Sequence, residues 1–90
     1  MEDSFRGLVK NIIDDQTFEM IVKRKSIFKR NIYRAVEQIR ISNLYARDIV
    51  ESGKRLSKAL LEQVLKNKEV RCYVHSRDDS GRLVAYVVVL

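Results

Sequence analysis

Arg40 and Asp48 open the chemical reading of this sequence. They belong to Ile-Arg-Ile-Ser-Asn-Leu-Tyr-Ala-Arg-Asp, residues 39–48, in which an alternating apolar run (Ile39, Ile41) meets the polar pair Ser42-Asn43. Side chains alternate along a strand, so Arg40 points away from the face that buries Ile39 and Ile41, and Asp48 follows after a short loop. A guanidinium that binds charge and a carboxylate that handles a proton, both held near a strand end, suit a phosphate ester. The same pair also suits a merely solvated strand end. A second group lies just upstream: Lys23, Arg24, Lys25, Lys29, Arg30 and Arg34, with Phe28 and Tyr33 interleaved. Cations that pair phosphates and rings that stack on bases are what single-stranded nucleic acid requires. The competing reading is a solvated hairpin tip whose aromatics turn to the core.

The whole composition agrees with a polyanionic partner. Ninety residues carry a net charge of +6, which favours association with nucleic acid. Hydrophobic residues at 46% and charged residues at 33% indicate one ordinary folded domain spanning residues 1–90 rather than a disordered chain. One cysteine, Cys72, cannot form an internal disulfide, and one Cys with one His makes no metal cluster. The start Met-Glu-Asp-Ser-Phe-Arg has neither the basic opening nor the apolar centre of a secretory signal, and no apolar run is long enough to span a bilayer. The expectation is an intracellular, cytoplasmic protein with no membrane contact.

The elements that must position these groups read as follows. Residues 5–13 form a first strand, with Val9, Ile12 and Ile13 apolar, Arg6 and Lys10 outward, and Gly7 permitting a bend or bulge. Asp14-Asp15-Gln16 makes a tight turn, because Asp side chains bond nearby amides. Residues 17–23 alternate, Phe18, Met20 and Val22 on one face and Thr17, Glu19 and Lys23 on the other, which completes a hairpin. From residue 24 to 38 two readings stay open. Phe28, Ile32, Val36 and Ile39 recur at helical spacing, while Ile32, Arg34, Val36 and Gln38 fit alternate strand positions. Residues 54–67 form a helix with a core stripe of Leu56, Leu60 and Val64, joined by Ala59 and Leu61, opened by Ser52 and closed by Asn67. Residues 69–75 alternate again, Val70, Cys72 and Val74 inward, so Cys72 is a buried apolar group and His75 a surface side chain. A turn at residues 76–81 precedes the nearly wholly apolar residues 83–90, which should be covered on both faces.

Strand, hairpin, strand, loop, helix, strand, turn, strand is the order of a small five-stranded α+β barrel with one helix before its fourth strand. Against that order, three local patterns resemble the staphylococcal (micrococcal) nuclease-like family, whose fold is the OB barrel. Ile13-Asp14-Asp15-Gln16-Thr17 is similar to the family's Ile-Asp-Gly-Asp-Thr. Residues 39–48 are similar to Val-Arg-Leu-x-Gly-Ile-Asp-Ala-Pro-Glu. Asp78-Asp79-Ser80-Gly81-Arg82 is similar to Asp-x-Tyr-Gly-Arg. The likeness covers nearly the whole chain, except a basic insertion in the hairpin between strands 2 and 3, and the family's C-terminal helices have no counterpart. The family cleaves phosphodiesters with one calcium ion. The resemblance implies that Arg40 and Arg82 hold the phosphate and that Asp48, one methylene shorter than the family's glutamate, stands at the base position. The calcium positions fall on Gln16 and Tyr45, neither a carboxylate; a shift of register would bring Asp15 to the first. Calcium affinity depends on charged oxygen ligands, and without the ion the attacking water is not activated. The implied protein keeps a phosphate grip and needs no cofactor.

Three functions follow. The leading one is a non-catalytic, nuclease-like OB domain that binds nucleic acid through Arg40, Arg82 and the basic hairpin. The second is a calcium-dependent phosphodiesterase using Asp15, Gln16 and Asp48. The third is an interaction module that forms homo-oligomers through its C-terminal apolar strand.

Overall fold

Alternation of apolar and polar residues produces five strands that close on themselves. In the computed structural model, which describes residues 3–25, 33–46 and 57–90, the order is β1 (Asp3–Ile12), β2 (Thr17–Lys25), β3 (Val36–Tyr45), α1 (Lys58–Val64), β4 (Glu69–Arg77) and β5 (Leu83–Val89). The strands form a closed barrel in the order β1-β2-β3-β5-β4, with β4 returning to β1. β3 and β5 run parallel, and every other neighbouring pair is antiparallel. This is the OB-like α+β barrel that the element order implies. Among the described residues no helix is long and apolar enough to cross a membrane.

The inward residues of each strand fill the interior: Phe5, Val9 and Ile12 from β1, Phe18, Met20 and Val22 from β2, Ile39 and Ile41 from β3, Val70, Cys72 and Val74 from β4, and Leu83, Ala85 and Val87 from β5. Two register shifts shape β1. The first, between Arg6 and Gly7, sits where a side chain would have no room. The second, between Val9 and Asn11, rotates Ile12 into the core and leaves Ile13 exposed. At this second bulge the Val9 amide turns to the Lys68 carbonyl and the Val9 carbonyl accepts from Asn67 N–H. The segment after α1 is thereby tied to the barrel.

Four sequence expectations change. α1 begins at Lys58, with Ser57 as its cap; the Ser57 hydroxyl accepts from Leu60 N–H at 3.1 Å. Residues 54–56, and with them Leu56 and Ser52, lie outside the described residues. The buried stripe is Leu61 and Leu65, with Leu60 and Val64 only half-buried and Ala59 exposed, because the shorter helix meets β1 on a different face. The helix ends at Val64 with Leu65 as its cap rather than at Asn67, which adopts φ 63 in the turn that follows. β3 does not break at Ser42-Asn43: it bulges between Ile41 and Asn43 and continues to Tyr45, held by β5. Thr17, assigned to the outer face, is buried, since its carbonyl accepts from both Ile13 and Asp14 amides at the mouth of the hairpin. β5 alternates rather than being covered on both faces. Leu83, Ala85 and Val87 are buried while Val84, Tyr86 and Val88 are half-buried, and both backbone edges of β5 are taken by β3 and β4. Backbone pairing of residues 83–88 with a second chain is thus blocked by the barrel itself.

Candidate nucleic-acid interface

Two polar turns flank Arg40 at one rim of the barrel. The β1–β2 turn is built by Asp14, whose carboxylate accepts from Gln16 N–H at 2.8 Å, the self-bonding that makes Asp a turn former. That hydrogen bond, with the Thr17 hydroxyl and amide and the nearby charge of Arg82, holds the Asp14 carboxyl below its ordinary value of 3.8, against a smaller opposing effect of burial. The Gln16 carbonyl accepts from Ile41 N–H at 2.7 Å, which docks the turn beside Arg40. Thr17 of β2 and Val84 of β5 are the register partners of Arg40 on its two sides.

The β4–β5 turn is organised by Asp78. One carboxylate oxygen accepts from the Ser80 and Arg82 amides, each at 2.9 Å, and the other lies 3.9 Å from Arg40 Nη1. Gly81 adopts φ 85, the left-handed conformation that glycine takes without penalty. The charge of Arg82, next to it, lies near enough to Asp14 to help lower its carboxyl pKa. The two arginines nominated by the sequence therefore belong to one rim: Arg40 beside Asp78, and Arg82 on the turn Asp78 builds. The Arg40 side chain is about half exposed, so its contact with Asp78 is loose and easily exchanged.

Glu37 is the main group that sequence reasoning missed. Only 3% exposed, it takes both Arg77 amino groups at 3.2 Å and accepts from Arg34 N–H at 2.9 Å. Arg77 also donates to the Gly81 carbonyl at 2.6 Å. One buried carboxylate thus fastens the entry of β3 to the β4–β5 turn. A buried charge is tolerable when paired in this way. The signal was present in the parity of β3: stepping back by twos from Ile41 and Ile39 reaches Glu37. Val36 and Gln38 do take alternate positions on β3, as the strand reading has them, but on its outer face, Val36 being 46% exposed; Ile32 lies outside the described residues. An open cleft of about 360 Å³ runs beside this clamp, lined by Glu19, Arg34, Val36, Glu37, Gln38, Ser80 and Gly81.

The other nominated residues are distributed as follows. Lys23 and Arg34 are exposed, and Asp15 and Gln16 are exposed in the β1–β2 turn. Arg24 and Lys25 belong to β2 by backbone pairing with Arg6 and Phe5, but their side chains lie outside the described residues, as do Phe28, Lys29, Arg30 and Asp48. Tyr33 is not a stacking surface. It is 5% exposed, packs its ring on Phe5 at 5.0 Å and donates its hydroxyl to the Asp3 carboxylate; the aromatic is drawn inward because Phe5 offers an apolar wall and Asp3 an acceptor. Gln16 and Tyr45 are not brought together either. The Gln16 carbonyl bonds Ile41, and Tyr45 lies four residues further, roughly 13 Å along β3, where it faces Val88. Among the described residues no three His, Cys, Asp or Glu side chains converge.

No family model matches the chain, and no curated protein matches it in sequence.

Proposed function

We propose that this barrel binds single-stranded nucleic acid without cleaving it, as a nuclease-like OB domain that has kept a phosphate grip. The observation that carries the reading is the placement of Arg40 and Arg82 at one rim, beside the β1–β2 and β4–β5 turns. Two guanidiniums so placed can each donate paired hydrogen bonds to a phosphate. A phosphate entering the rim competes with Asp78 for Arg40 across a contact of 3.9 Å. Lys23 and Arg34, both exposed, add positive charge beside β2 and the entry of β3, and the net charge of +6 supplies the long-range attraction. The separation of Gln16 from Tyr45 supports a binding rather than a calcium-dependent role, since a divalent ion needs converging oxygens.

The test is anisotropy of a labelled single strand, DNA and RNA in turn, from about 50 to 200 mM salt, where each phosphate contact contributes about 0.7 to the slope of log K against log salt. Arg40→Ala with Arg82→Ala is expected to lower that slope by about 1.4 and to weaken both strands. No binding by the intact protein at low salt would end the proposal. Calcium-dependent shortening of the strand would replace it with a phosphodiesterase.

A further inference from the structure

With Tyr33 in the core, the described surface offers base stacking somewhere else. Tyr73 on β4 and Tyr86 on β5 are register partners, and their rings stack at 6.0 Å and 26°. Both point outward by the alternation that buries Cys72, Val74, Ala85 and Val87, and both are half-buried, so part of each ring meets solvent. On one side of this pair along β5 is Val84, the partner of Arg40. On the other is Val88, whose partners are Arg71 and Tyr45. The outer face therefore presents a cation, an aromatic pair, then a second cation with a further ring, spaced about 7 Å per step along the strand. Tyr45 is 48% exposed. Arg71 makes no ion pair among the described residues, and Glu69, two positions before it on β4, is engaged by Arg6 at 2.6 Å.

We infer that the outer face of β4 and β5 is a stacking platform for the bases of a single strand whose phosphates lie on Arg40 and Arg71, with Tyr86 and Tyr73 as the central contact and Tyr45 as an outer one. The inference rests on the binding reading above and gives the strand a direction: from the Arg40–Arg82 rim across β5 rather than solely along β2 and β3. The occupant follows from the chemistry. A cation flanking rings on both sides matches the repeat of a nucleic-acid backbone and its bases, and base–aromatic stacking tolerates any sequence because every base has a π-face.

Four tyrosines and no tryptophan make tyrosine emission a direct readout. The intact protein is titrated with an oligothymidylate and with an abasic strand of equal length and charge, and binding is also followed for Tyr86→Leu and Tyr73→Leu. The expected results are quenched emission with the base-bearing strand, abasic affinity lower by about 5-fold or more, and a similar loss in each variant with an unchanged salt slope, since stacking contributes about 1–3 kcal/mol per base. Equal affinity for the two strands overturns the platform and leaves the Arg40–Arg82 reading standing. So does full affinity in a folded Tyr86→Leu protein. Absence of binding to either strand at low salt overturns both. Should a variant fail to fold, the abasic comparison on the intact protein still decides. Self-association that Tyr86→Leu abolishes, with no preference between strands, assigns the face to a second copy instead.

Discussion

Replacing Gly7 by alanine is expected to be the most damaging small substitution on β1. A Cβ built there lies 2.1 Å from the Ile21 carbonyl oxygen and 2.5 Å from the Met20 terminal methyl. An unstrained carbon-to-oxygen contact is about 3.3 Å or more, so roughly 1 Å of movement is required. The Met20 methyl can swing aside, but the Ile21 carbonyl is backbone, and β1 is held from the other side by β4, where Gly7 pairs with Val70. Relief must therefore come from parting β1 and β2. Overpacking of this kind costs about 1–3 kcal/mol, and one cross-strand hydrogen bond stretched adds about 1 kcal/mol, giving about 2–4 kcal/mol in all. A domain of this size loses about 4–8 °C in Tm per kcal/mol, so the melt should fall by about 8 °C or more. Gly81→Ala is the matched control. Nothing lies within 4 Å of its added carbon, and only its φ of 85 opposes the change, a cost of about 1 kcal/mol. Urea unfolding followed by circular dichroism compares the two. If Gly7→Ala matches the parent within about 0.5 kcal/mol, or is milder than Gly81→Ala, the account of how β1 fits against β2 is wrong.

Three further outcomes are expected. Tyr33→Phe strips the buried Asp3 carboxylate of a donor, which should lower stability by about 1–3 kcal/mol in urea unfolding while single-strand affinity stays unchanged; a selective loss of affinity would return Tyr33 to the interface. Asp14 has a lowered folded-state pKa, chiefly from the Gln16 amide, so its carboxylate stabilises the fold above pH 3.8 and ceases to do so as pH falls through the lowered value. The stability gap between the parent and Asp14→Asn should accordingly close in acid, and a gap that widens there refutes the sign. Burial pushes the Cys72 thiol up to about 12, so iodoacetamide at mild alkaline pH should label it only as fast as the barrel opens, and prompt labelling of folded protein would contradict its placement.

What the sequence disclosed was set by how local each signal is. Period-2 alternation in residues 17–23 and 69–75 fixed β2 and β4 and their inward faces, and Asp14 and Gly81 marked their turns through chemistry confined to three or four residues. Arg40 was placed outward by its two isoleucine neighbours, and that is where it lies. Most of the failures involve partners far along the chain. Tyr33 looked like a ring among cations until Phe5 and Asp3, about thirty positions earlier, drew it in. Glu37 drew no notice because its partner Arg77 is 40 residues away. Tyr73 alternates with inward Cys72 and Val74, but Tyr86 lay in a strand expected to be covered on both faces, and only the register of β4 with β5 makes them an outward pair. Leu65 was overlooked because the helix was phased on Leu56, Leu60 and Val64, whereas the buried i,i+4 pair is Leu61 and Leu65.

The parallel seam between β3 and β5 has a consequence for how the molecule comes into being. β1, β2 and β3 can zip as neighbours in time, whereas β3 must wait for a segment some forty positions later before its second edge is taken. Until then both β3 and β4 present open hydrogen-bonding edges. Acquisition of the native state should be a late, all-or-none event governed by loop-closure entropy. A nick in the Asp78–Arg82 turn would slow it severely while barely altering the finished protein, because by then β5 is gripped from both sides.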